Sequence, residues 1–193
     1  MFKSPLSVSK IFPEEYRAVT EELFPSGGFP QGKGPSQKTV QAFADILGLG
    51  EDFRQLLSSH RSGRAVGDFL ERFQNNLDLL IQKTWVDKSE EARKEKLLDN
   101  IPPLIASIEK GDYAQALEEF GPILDELAYL FFGAQSQKED FSEYALRIDE
   151  QMGLFWWYGA QINALRGASW VKNAGADDLQ ALLLVGICYL TNF

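Results

Sequence analysis

Residues 25–36 read PSGGFPQGKGPS, and Gly27, Gly32 and Lys33 within them have the glycine and lysine spacing of a phosphate-cradling loop. In such a loop main-chain amides surround the anion, the lysine neutralises it, and a hydroxyl directly after the lysine holds magnesium. Here Gly34 and Pro35 follow Lys33, so the hydroxyl is missing, and Pro30 removes one cradle amide. The preceding stretch EEYRAVTEELF has helical rather than strand periodicity. The segment therefore reads as a connection between two helices, with residual capacity to place the amides of Gly32 to Gly34 around an anion at the helix start marked by Ser36.

Other chemistries are limited by residue supply. His60 is the sole histidine, which excludes sites built on two or more imidazoles from one chain. It lies in LLSSHRSGR beside Ser58, Ser59, Arg61 and Ser62, a combination that supplies the types of a nucleophilic triad without its geometry. The plainer expectation is a frayed helix end, with His60 and Arg61 at its carbonyl-rich terminus and Ser62 capping the next helix. No Gly-x-Ser-x-Gly elbow is present. Ser-x-x-Lys occurs at Ser7/Lys10, Ser107/Lys110 and Ser169/Lys172 without the companion motifs that give it meaning. Cys188 is the only cysteine and lies in LLLVGICYL, as a small buried hydrophobe would. It permits no intrachain disulfide and no thiol zinc site. No catalytic residue, metal or cofactor is assigned.

Carboxylates cluster at Glu118-Glu119, Asp125-Glu126, Glu139-Asp140-Glu143 and Asp149-Glu150. Helical spacing brings Glu119 and Glu126 to one face, where a hard divalent cation would find oxygen ligands. The simpler reading is a solvated acidic face. The most unusual run is MGLFWWYGAQINALRGASWVKNAG. Phe155, Trp156, Trp157 and Tyr158 occupy four consecutive positions and so cover every side of a helix. They mark either a helix buried all round or a ring turned toward a ligand or partner. In the functional alternative Phe155, Trp156, Trp157, Tyr158, Gln161, Asn163, Arg166 and Trp170 line a binding surface. The rings and Arg166 would supply contact area, and Asn163 and Arg166 would orient a bound acid or amide. Small residues at Gly153, Gly159, Ala160, Ala164, Gly167 and Ala168 would admit a close neighbour.

The elements that must position these residues read as helices throughout. Pro13 suits a first turn, and Tyr16, Val19, Leu23 and Phe24 share one side of the element that Pro25 ends. Ser36 caps a helix carrying Val40, Phe43, Ala44 and Leu47, which Gly48 stops. A short third helix, EDFRQLL, turns Phe53, Leu56 and Leu57 inward. Val66, Phe69, Leu70, Phe73, Leu77, Leu80, Ile81, Thr84 and Trp85 form a stripe of more than five turns. The charged run DKSEEARKEKLLDN has Asp87 or Ser89 as cap, and Pro102-Pro103 kink it or begin a new turn before Gly111. Asp112 with Gln115, Ser136 with Glu139 and Asp177 with Gln180 all have capping-box spacing, and Gly121-Pro122 interrupts the first of these helices. Phe141, Tyr144, Ala145, Ile148 and Met152 follow on one face of the second. No alternating strand pattern occurs. The fold class expected is all-α, a bundle of seven to nine helices, with residues 1–35 as an N-terminal helix and Gly/Pro-rich loop and 36–193 as a single helical domain.

The segment GDYAQALEEF, Gly111 to Phe120, resembles the second-helix portion of a tetratricopeptide repeat, and GDFLERF, beginning 44 residues earlier at Gly67, echoes it. The resemblance covers about ten residues and implies stacked helix pairs; no binding residues are carried over from it.

The net charge of −9 is unevenly placed, with fourteen basic against fifteen acidic residues in 1–100 and five against thirteen in 101–193. An acidic C-terminal half repels phosphate backbones, so a role in nucleic-acid binding is not expected. The N-terminus lacks the apolar core of a signal peptide, and the longest apolar run, Ala181 to Leu190, is too short to span a bilayer. A soluble, cytoplasmic chain is the resulting expectation. Three functions remain: a non-enzymatic adaptor or accessory subunit that associates with a protein partner or itself, a bundle enclosing a small, partly apolar ligand at the tryptophan-rich segment, and an enzyme with a dispersed carboxylate site.

Overall fold

A computed structural model of the chain describes residues 13–29, 34–61, 66–84, 91–132 and 150–192. Among these residues there are nine helices and no strands, so the molecule is an all-α multi-helix bundle. They are α1 (Glu14–Leu23), α2 (Gln37–Ile46), α3 (Gly50–Arg61), α4 (Val66–Thr84), α5 (Glu91–Lys110), α6 (Tyr113–Phe132), α7 (Glu150–Ala164), α8 (Ser169–Asn173) and α9 (Ala176–Thr191). The short α8 has no counterpart in the sequence reading. The caps expected at Asp87, Ser89, Ser62 and Ser136, and Trp85, Phe141, Tyr144, Ala145 and Ile148, lie outside the described residues.

The hub is α9, which packs against α2, α3, α4, α6 and α7. Leu179 to Cys188 are buried without interruption, so this helix is enclosed on every side. The second centre is α6, flanked by α5 and α7. The same enclosure holds along α7, where Leu154, Phe155, Trp156, Trp157 and Tyr158 are all buried. Tyr158 shows how a phenol is accommodated there: its hydroxyl donates to the Leu182 carbonyl of α9, and burial pushes its pKa well above the usual range.

Two expectations about helix breaks are corrected. Gly121-Pro122 does not interrupt α6, and Pro102 and Pro103 lie inside a continuous α5, so of the two readings of that pair the start of a new turn is the one overturned. The prolines of α5 are exposed while Leu97, Ile101, Leu104 and Ile108 are buried, so the freed carbonyls face water and the opposite stripe keeps its packing. Gly121 is a crossing point: a β-carbon built there would stand 2.9 Å from Asn163 Cα of α7. Gly159 receives Leu124 of α6 from the other side of the same contact, with 3.2 Å to Leu124 Cβ. The two glycines let α6 and α7 approach closely.

The caps at Ser36 and Asp112 are present, with Thr39 N–H donating to Ser36 Oγ at 3.2 Å and Gln115 N–H to Asp112 Oδ1 at 3.1 Å. Gly111 adopts φ +73°, and the Asp112 amide donates back to Ser107 O, which closes α5. The capping box at Asp177 is not formed. Gly175 is the N-cap of α9 without a side-chain bond, and Gln180 is drawn inward.

Candidate functional site

The glycine-rich connection is occupied by its own chain. The Ser26 amide and hydroxyl both donate to Glu21 Oε1, at 2.9 and 2.6 Å, which lowers the Glu21 carboxyl pKa. Gly34 lies on the Trp170 ring so closely that a β-carbon would meet it at 2.4 Å, and Phe29 packs on the same indole with centroids 4.5 Å apart. Gly34 is thus small because a tryptophan covers it. Lys33, Gly32 and Pro30 lie outside the described residues.

The aromatic run is part of the core. Phe155, Trp156, Trp157 and Tyr158 are each at most 2% exposed. Phe24 closes on Trp157 edge-to-face at 5.4 Å, Phe43 stacks on Tyr158 at 5.8 Å, and Tyr189 stacks on Phe155 at 3.9 Å. Of the other residues named from the sequence, Trp170 is buried under Gly34 and Phe29, Gln161 and Asn163 are half-buried, and Arg166 is exposed. Asn163 contributes backbone to the α6–α7 crossing.

The polar constellation absent from the sequence reading centres on Gln180. Its Oε1 accepts from Arg61 Nε at 3.0 Å, so its amide nitrogen is turned to His60 Nδ1 and Tyr113 Oη, each at 2.8 Å. Arg61 has only donors, and this fixes the amide orientation. His60 Nδ1 must then be an acceptor, which places the neutral imidazole's proton on Nε2; that atom is buried and has no hydrogen-bond partner among the described residues. Burial lowers the His60 pKa in keeping with the neutral form. His60 and Arg61 do form the last turn of α3, as expected, but they are tied there rather than frayed. They connect α3 to the start of α9, where Asp177 lies 3.6 Å from Arg61, and to Tyr113 at the start of α6. A signal was available, because Gln180 is a long polar side chain beside a continuous apolar run and demands partners when buried. With no carboxylate on His60 among the described contacts, the arrangement is a neutral tie between helices rather than an acid–base couple.

Next to this tie, α2 and α3 enclose an open cleft of about 450 Å³. Its described lining consists of Gln37 and Gln41 on α2 and Arg54, Leu57, Ser58 and Arg61 on α3. Leu57 is buried and forms an apolar floor. One side of α6 carries Glu118, Glu119, Asp125 and Glu126 around Pro122, all half-buried. Glu119 is fixed by Ser107 Oγ at 2.7 Å and Gln115 Nε2 at 3.0 Å. Among the described residues no three His, Cys, Asp or Glu side chains converge as a metal site. Cys188 is buried, and its thiol is pushed up to about 12, first by burial and then by the charge of Asp52. No helix among the described residues is long and apolar enough to cross a membrane. No family model matches the chain, and comparison with curated proteins and with solved structures gives no match.

Proposed function

We propose that the chain is a non-enzymatic helical interaction protein, an adaptor or accessory subunit, and that its acidic contact surface is the carboxylate-bearing side of α6. The observation that carries this reading is the placement of four half-buried carboxylates, Glu118, Glu119, Asp125 and Glu126, on one side of α6 around Pro122. An acidic strip on a rigid central helix raises the encounter rate with a basic surface and fixes its register. The enclosure of Trp156 and Trp157 supports a structural role for the aromatic run, which moves the interaction surface from the rings to the carboxylates.

The test is capture of partners by the tagged protein, compared with a Glu118→Gln/Asp125→Asn variant at low and high salt. A protein retained by the wild type, released by salt and lost in the variant is the expected result. Equal retention by both forms, or retention insensitive to salt, overturns the assignment of the strip.

A further inference from the structure

The cleft between α2 and α3 is independent of the acidic strip and carries two guanidinium groups in its described lining. We infer that it is a binding site for an extended acidic peptide bearing two carboxylates three residues apart. The charged side chains in its described lining are Arg54 and Arg61, and Gln37, Gln41 and Ser58 add polar groups above the Leu57 floor. The cleft volume is within the range of sites that enclose small ligands or a few peptide residues, about 300–1,000 Å³.

Arg61 is already held. Its Nε donates to Gln180 and its Nη1 to Gln37 Oε1 at 3.1 Å, while Nη2 lies 3.6 Å from the exposed Asp177 carboxylate, a loose pair that an incoming carboxylate would replace. A guanidinium ordered before binding loses less freedom when the ligand arrives. Arg54 holds Glu51 at 2.9 Å and lies 3.7 Å from Asp45, so the cleft rim already pairs guanidinium with carboxylate. All three side chains of that cluster are more than half exposed, and such pairs exchange at little cost in water.

The facing helix supplies main-chain recognition. Gln37 uses its oxygen on Arg61 and so presents an amide donor, whereas Gln41 uses its nitrogen on Gly50 O at 3.0 Å and on Asp45 Oδ1 at 3.1 Å and so presents a carbonyl acceptor. One donor and one acceptor are what a peptide main chain requires. Arg54 and Arg61 are two turns apart on α3, about 10.5 Å along its axis. In a polyproline-type extended chain, residues three apart lie on one side and about 9.3 Å apart, which matches that separation.

The probe is a fluorescein-labelled peptide, Gly-Gly-Glu-Ala-Ala-Glu-Gly-Gly, titrated with the full chain by fluorescence anisotropy. Saturable binding with Kd on the order of 0.1 mM is expected from two charge-assisted contacts less the cost of ordering the peptide. Arg54→Glu, which reverses an exposed charge, and Ser58→Trp, which fills the cleft without changing charge, should each weaken binding about tenfold or more. Lys110→Glu makes the same charge change at an exposed position on α5 and should leave affinity within about twofold, since long-range fields are screened at physiological salt. Absence of saturation, equal binding of the peptide with glutamine in place of glutamate, or equal weakening by Lys110→Glu overturns the site. Each of these results leaves the α6 reading untouched, because Glu118 and Asp125 take no part in the cleft.

Discussion

The α6–α7 crossing makes a prediction in which two chemically identical substitutions part company. Gly121→Ala and Gly159→Ala each replace a mid-helix glycine, and each gains up to about 1 kcal/mol of helix propensity. At Gly121 the new methyl would stand 2.9 Å from Asn163 Cα and 3.3 Å from Asn163 N, both backbone atoms that no rotamer change can move. The helices must separate by about half an ångström, and a gap of that size forfeits about a quarter of the dispersion energy of each contact across it. Overpacking of this kind costs about 1–3 kcal/mol, with a rigid backbone neighbour placing it in the upper part of that range. After the propensity gain, Gly121→Ala should be destabilised by about 1–2 kcal/mol, a fall in Tm of about 2–8 °C for a chain of this size. At Gly159 the nearest atoms are Leu124 Cβ at 3.2 Å and Cδ1 at 3.6 Å, on a side chain that can shift, so the terms nearly cancel and Tm should stay within about 2 °C. Thermal unfolding followed by far-UV circular dichroism measures both. If Gly121→Ala is as stable as Gly159→Ala, or more stable than wild type, the close backbone crossing is refuted.

The remaining predictions concern single groups. Because His60 is the only histidine, its ring gives one Cε1–H resonance, which should titrate below the usual value of about 6.5. A folded pKa below the unfolded one means that His60 favours the fold above about pH 6.5, and that this contribution is lost as pH falls through the unfolded value toward the folded one. Gln180→Glu would put a carboxylate against both His60 and Arg61 and should raise that midpoint; no movement of the resonance would contradict the contact. Cys188 should fail to react with an aromatic disulfide reagent at neutral pH until denaturant is added, since its thiol titrates near 12. Ser36→Ala removes the acceptor of the Thr39 amide and should cost about 1 kcal/mol in denaturant unfolding, while an unchanged midpoint would mean that the cap contributes nothing.

Much of the bundle was legible because helices announce themselves locally. The stripe at Val40, Phe43 and Ala44, the caps at Ser36 and Asp112 and the stop at Gly111 all follow from neighbours within a turn. What escaped depends on distant partners. Gly121-Pro122 reads as a break until the backbone of Asn163 is known to lie against it. Gly34 reads as one residue of a helix connection, its amide open to an anion, until Trp170 is known to cover it. Gln180 has capping-box spacing to Asp177, and the local rule loses there because a buried amide bonded to Arg61, His60 and Tyr113 satisfies more groups than an exposed cap would.

Gln180 also connects the core to the cleft. Its oxygen aligns Arg61, Arg61 holds Gln37, and Gln37 is thereby left with its amide donor turned toward the space beneath which Leu57 lies. Burial holds the His60 pKa below its usual value, so the imidazole beside that amide is neutral at neutral pH. Protonation of His60 would put a donor against the donor of Gln180 and favour rotation of that amide, which withdraws the acceptor from Arg61 Nε. Acid that protonates His60 should therefore loosen Arg61. Peptide affinity is expected to decline as pH falls through the His60 midpoint, which burial places below the usual imidazole value of about 6.5. Gln180→Met, which removes the amide between His60 and Arg61, should abolish that dependence while leaving the weaker carboxylate titration in place.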